Sequence, residues 1–227
     1  MNKKAALSPY TDSIPPWPLY QAIIVGCIGV FAALFVTLCG LVFVHGDEPL
    51  QPEFIALEAV LECLVTIAIA YLFLRIARRR GLPYFWESIH WCADYLPIAI
   101  WSAVGFLASV LLSYFLVRHV VIGPISSSSL MSIRILPIVL GTVILQPLIE
   151  EIYFRGILFE AIAARIGSIW SICIVTFLFV LMHVQHHWVV LPVAILLGVT
   201  RISTRSTANC FALHAAYNLG MVIWGLR

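Results

Sequence analysis

The sequence predicts an all-α fold, a polytopic transmembrane bundle of about seven helices. Three observations carry that prediction. Hydrophobic residues fill 62% of the 227 positions, and mean hydropathy is +1.03. Charged residues make up 11%, against about 25% in a soluble domain. The apolar residues also fall into runs near the length that crosses a bilayer, about 20 residues.

Residues 1–18 form a polar, proline-containing tail. The first helix is expected over 19–45; its apolar run of about 26 residues is too long for a signal-peptide core. The second, 54–76, ends at Arg75, Arg78, Arg79 and Arg80. Residues 82–94 mix aromatic and polar groups and read as an interfacial segment. The third helix is expected over 95–117. Gly123, Pro124 and Ser126 to Ser129 then mark a loop over 122–132. The fourth helix, 133–165, is long and interrupted by polar residues, and it turns near Ile166-Gly167. The fifth (168–184), sixth (188–202, short enough to be tilted or re-entrant) and seventh (208–226) complete the set. The chain thus divides into N-terminal transmembrane helices, 19–132, and a C-terminal helical region, 133–227.

Basic residues set an orientation through the positive-inside rule. Lys3, Lys4, the Arg75–Arg80 cluster, Arg165, Arg201 and Arg205 fall on one side; Arg118 and Arg134 fall on the other. The expected protein is an integral protein of a bacterial plasma membrane with its N-terminus cytoplasmic. A formal net charge of +2 gives no reason to expect nucleic acid. Cysteines at 27, 39, 63, 92, 173 and 210 form no CxxC pair, so neither a disulfide framework nor a structural zinc site is expected.

Three polar groupings interrupt the apolar C-terminal region. Glu150 and Glu151 sit side by side in an expected span, where ionisable residues are costly and usually functional. Glu151 and Arg155 have the favoured helical ion-pair spacing, while Glu150 lies about 100° round the helix with no obvious local partner. His183, four residues after Phe179, closes the fifth helix. His214 and Asn218 share a face of the seventh, with Ala215 and Ala216 between them to allow close helix approach. Glu150 and His183 lie about equally far from the Ile166-Gly167 turn, ~25 Å at the helical rise, so a hairpin makes them level.

These residues resemble the CPBP family of intramembrane proteases, also called the CAAX protease and bacteriocin-processing or Abi family, which includes the Ras-converting CAAX endopeptidases. The family pattern is Glu-Glu-x-x-x-Arg, then Phe-x-x-x-His, then His-x-x-x-Asn or His-x-x-x-Asp. Here the three read Glu150-Glu151 to Arg155, Phe179 to His183, and His214 to Asn218, and the resemblance covers roughly residues 133–225. It implies peptide-bond hydrolysis on a peptide or membrane-protein substrate in the bilayer. Carried over, Glu150 and His183 activate a water, His214 and Asn218 hold the oxyanion, and Glu151, Arg155 and Phe179 support them.

Blander readings stand beside this one. The glutamates could form a snorkelling ion-pair cluster, His183 could be an interfacial histidine, and His214 with Asn218 could be interhelical glue. Glu58 and Glu62 could sit near the outer interface or line a polar seam. Tyr153 and Phe154 read as packing residues, and Trp188 and Trp224 as belt anchors. A zinc site on Glu150, His183 and His214 is open, but HExxH is absent and a metal-free glutamate mechanism with no cofactor is preferred. Two other functions compete with the protease: a non-catalytic bacteriocin-immunity-like membrane protein of the same fold, and a small transporter that uses membrane acids and histidines for translocation.

Overall fold

A computed structural model describes residues 17–29, 31, 64, 67–69, 71–119, 139–183 and 187–225. Among them every regular element is helical. In chain order they are α1 (Leu19–Gly29), α2 (71–80), α3 (Leu82–Ser88), α4 (Tyr95–His119), α5 (139–166), α6 (Ser168–Met182), α7 (His187–Thr204) and α8 (Thr207–Gly225). The expected loop at 122–132, and Glu58 and Glu62, lie outside the described residues, as do the side chains of Trp188 and Trp224.

The helix ends follow local chemistry. Gly167 separates α5 from α6 with φ of 81°, a conformation that costs a residue with a Cβ. Its N–H donates to Ala163 O at 3.0 Å and closes the last turn of α5. Helix α2 runs on through the arginine cluster to residue 80 instead of ending at the expected bound of 76. Arginine is a good helix former; Phe73 and Ala77 are buried while Arg75, Arg78 and Arg79 face outward.

Helix α5 changes register as it runs. It is π-helical over Val139–Leu145, α-helical over Gln146–Glu151, π-helical again over Ile152–Leu158 and α-helical over Phe159–Ile166. A π segment that returns to α register skips one carbonyl. The Phe159 N–H goes back five residues to Phe154 O, so Arg155 O is the acceptor left over. Arg201 Nε, from α7, donates to it at 2.9 Å.

This corrects one sequence expectation. Arg201 was counted among the loop charges, yet it is 2% exposed. Its Nη2 pairs with Glu160, and its guanidinium lies 4.7 Å from the centre of the Phe159 ring. Hydropathy places Arg201 near a helix end but does not say which face it occupies, and that face is the packed one.

Helix α8 is the hub of the bundle. It packs against α4 on one side and against α5 and α7 on the other; α6 joins α5 to α7 and closes a four-helix circuit. The α4–α8 crossing is close because small residues meet there. A Cβ on Gly105 would run into the Leu213 carbonyl, and one on Gly220 into Ser109 Oγ. Close approach therefore depends on these positions and not on Ala215 and Ala216 alone.

Part of the 82–94 stretch, α3 and the turn that follows it, is more buried than an interfacial reading implies. Phe85 and Ile89 belong to the core, and the Trp17 indole donates to Ser88 Oγ at 3.2 Å. The Thr207 N–H donates to His90 O at 3.0 Å, and the Ser206 and Thr207 hydroxyls donate to Cys92 O and Ile89 O. Positive φ at His90 (53°) and Arg205 (55°) is held by this docking of the α3 end onto the start of α8.

Tyr95–Leu112 is the stretch that is long and apolar enough to cross a membrane among the described residues. Leu96, Ile100, Leu107 and Leu111 on α4, and Ile169, Trp170, Phe177 and Leu181 on α6, are exposed. Apolar surface of that extent matches a lipid solvent better than water.

Candidate active site

The four-helix circuit lines a partly open cavity of about 360 Å³. Helix α5 lines it with Thr142, Gln146 and Glu150, and α6 with Phe179 and His183. Helix α7 adds Val190 and Val193; α8 adds His214, Tyr217, Asn218, Met221 and Val222. Glu150, His183, His214 and Asn218, far apart in the chain, thus share one chamber.

The adjacent glutamates have different surroundings because neighbouring helical positions point in different directions. The Glu150 side chain is 17% exposed and faces the cavity. Its Oε1 accepts from Gln146 Nε2 at 3.0 Å, and its Oε2 lies 3.9 Å from His214 Nε2. The Glu151 side chain is fully buried. Its Oε1 accepts from Arg155 Nη1 at 3.0 Å and from His214 Nδ1 at 2.8 Å.

Both histidines are fixed by acceptors. A carboxylate can only accept, so the His214 Nδ1 that meets Glu151 is protonated, and Nε2 turns toward Glu150. His183 Nδ1 meets Phe179 O at 2.7 Å. A carbonyl also only accepts, so His183 carries its Nδ1 proton and Nε2 is its basic atom.

Phe179 holds the set together. Its ring lies 4.7 Å from that of His183 and 5.8 Å from that of His214. The Arg155 guanidinium lies 4.3 Å from its centre. Arg155 Nε and Nη2 are buried without a hydrogen-bond acceptor among the described residues, and the ring face offers them partial compensation. The Glu151–Arg155 pair is therefore a dry ion pair, tied to Phe179 on one side and His214 on the other.

Asn218 Nδ2 donates to Thr142 O at 2.9 Å, so one of its two amide protons holds helix α5. Tyr153, on α5, reaches the other way: its hydroxyl donates to Ala22 O at 3.3 Å and docks α1. Phe154 is buried, 5.1 Å from Phe179.

Gln146 is a site residue that the motif reading passed over. The signal was present, since a glutamine four residues before Glu150 in an apolar run falls on the same helical face. Thr142, Tyr217 and Met221 carried no comparable signal, because only the assembled helices bring them to the cavity. As for zinc, no three His, Cys, Asp or Glu side chains come close enough to hold a metal ion among the described residues. Glu150, His183 and His214 line one chamber without closing into a ligand cluster.

Residues 132–220 match the family model described as type II CAAX prenyl endopeptidase Rce1-like. The chain carries an Rce1-like region. It takes in all three motifs and nearly the whole α5–α8 circuit, and it agrees with the CPBP and CAAX protease resemblance. The matched region spans less than half of the chain, and the family model it matches is one of CAAX prenyl endopeptidases. Neither a curated protein nor a solved structure matches the chain.

Proposed function

We propose that the chain is an intramembrane endopeptidase that cleaves a peptide or membrane-protein substrate with a water activated by Glu150 and His183. The observation that carries this reading is the meeting of Glu150, His183, His214 and Asn218 at one cavity walled by apolar helices.

Amide hydrolysis needs a base for the water and donors where negative charge develops. Glu150, steadied by Gln146, takes one proton from the water as its oxygen bonds to the scissile carbonyl carbon. His183 Nε2 accepts a hydrogen bond from the same water and aims it. The carbonyl oxygen gains charge against the second Asn218 amide proton and a proton on His214 Nε2. Glu151 supports that charged imidazole through Nδ1, and Arg155 offsets the charge on Glu151. When the C–N bond breaks, Glu150 returns its proton to the leaving amine. The products are a carboxylate and a new amino terminus.

No step runs through a metal ion. The N-terminal helices 19–132 anchor and back the catalytic helices 133–227. We place the protein in a bacterial plasma membrane, with about seven spans and a cytoplasmic N-terminus.

Purified protein in liposomes, given quenched fluorescent peptides with and without a prenyl group, tests the reading. The expected result is cleavage that survives EDTA and falls about 100-fold or more in His183→Ala. Cleavage lost to EDTA and restored by zinc contradicts the metal-free mechanism; an unaffected His183→Ala variant contradicts the water-positioning role. Comparing the two peptides measures how far the lipid counts in recognition.

A further inference from the structure

The Arg155 carbonyl stands at a choice of register in α5. Phe159 opens the last α-helical segment, and its N–H returns five residues to Phe154 O. In α register the same N–H would return four residues, to Arg155 O. Arg201 Nε, reaching from α7, donates to Arg155 O at 2.9 Å and fills the place that the Phe159 N–H leaves open. Arg155 is fully buried, so without that donor its carbonyl would go unserved, and the α arrangement would serve it. The Arg201 guanidinium also pairs with Glu160 and lies 4.7 Å from the centre of the Phe159 ring, so it grips α5 on both sides of the exit.

We infer that Arg201 is a positioning residue for the two glutamates. By occupying Arg155 O it keeps α5 in the π register that turns Glu151 to His214 and Glu150 to the cavity. A π turn holds one residue more than an α turn, and one residue is worth about 100° of rotation. Glu150 and Glu151 stand before the π segment Ile152–Leu158; Phe159–Ile166, packed on α6, stands after it. A return to α register would therefore swing the glutamates about 100° relative to Phe159–Ile166. Glu151 Oε1 would leave His214 Nδ1, and Glu150 would leave the cavity wall. The kinetic part rests on the proposed peptidase reaction; the link between Arg201 and the register does not.

The test compares Arg201→Gln with Arg201→Met in the full-length protein. Glutamine carries its amide nitrogen as many bonds from the backbone as arginine carries Nε, while methionine is equally long and has no donor. Both changes are made beside Glu160→Gln, so that no carboxylate is left without its arginine. Thermal unfolding in detergent and peptide cleavage in liposomes are both measured. Glu160→Gln alone keeps the Nε bond and is expected to cleave at close to the parent rate. Arg201→Gln is expected to hold kcat near that of Glu160→Gln. Arg201→Met is expected to lower kcat roughly 10-fold with KM unchanged, because the glutamates are no longer aimed. Its Tm is expected about 3 °C below that of Arg201→Gln. An arginine that only paired with Glu160 would give the two variants the same kinetics.

Equal kcat in Arg201→Gln and Arg201→Met, beside an active parent, overturns the proposal. So does equal Tm. Arg201→Met failing to fold where Arg201→Gln folds upholds the link; failure of both overturns it, since the donor alone then holds nothing. An inactive parent overturns the peptidase reading instead, while the Tm gap between the two variants still decides the link between Arg201 and the register.

Discussion

His214 joins the two glutamates without treating them alike. Its Nδ1 is engaged by buried Glu151, and its Nε2 faces cavity-lining Glu150. In the proposed mechanism this asymmetry divides the labour between adjacent carboxylates: one orients and supports, the other meets water. The arrangement depends on Arg155, because Glu151 in a dry interior is tolerable only while paired. Arg155→Met leaves a buried charge uncompensated, and its expected cost is about 3–5 kcal/mol of stability. Arg155→Met combined with Glu151→Gln removes both charges and should recover much of that loss. Thermal unfolding of both variants in detergent checks this. A double variant no more stable than the single one would mean that Arg155 serves Phe179 packing alone. In either case the double variant should remain slow, since His214 loses its carboxylate partner.

At the scale of the element, helix α5 does more than carry the glutamates. Its two π segments leave carbonyls at Thr142 and Arg155, and side chains of α8 and α7 take them up. Register is thereby converted into contacts between helices. Helix α8 is set from its other side by α4, where Gly105 and Gly220 permit near contact. Gly105→Leu forces bulk against the Leu213 backbone and should cost about 1–3 kcal/mol as α4 moves off α8. Cleavage should fall with it, because α8 carries both His214 and Asn218. A thermal midpoint and a cleavage rate that both match the parent's would show that α4 does not position α8.

Element existence was legible where hydropathy and a glycine agreed. The Ile166-Gly167 turn put Glu150 and His183 level, and they line one cavity. The Glu151–Arg155 spacing announced the ion pair that forms. Three features were not legible. Helix registers are not encoded in hydropathy, so the π segments and the orphaned Thr142 carbonyl were invisible. The face occupied by Arg201 could not be told from its place near a helix end. The His214–Glu151 bond joins residues 63 positions apart, and no local pattern reports such a contact.

At the scale of the whole molecule, a small, mostly apolar chamber carrying a few polar side chains lies among helices whose outer surfaces are apolar. Exposed Leu107, Leu111, Trp170 and Phe177 face away from the cavity circuit, as lipid-facing residues do. In the proposed reaction such helices bring a peptide bond, a water and a set of oriented donors together where bulk water is scarce, and there each electrostatic contact counts for more. Reporter fusions at the N-terminus and after Gly225 should report opposite sides of the membrane, as an odd number of spans requires. Reporters on the same side would mean an even number of crossings.

The most direct measurement is the cleavage rate of Glu150→Gln in liposomes, beside a thermal midpoint that shows the variant folded. Glutamine keeps the size of the side chain but cannot take a proton from water. The expected result is a fall of about 100-fold or more with the midpoint unchanged. Cleavage by a folded Glu150→Gln variant at the parent rate contradicts a glutamate-activated water.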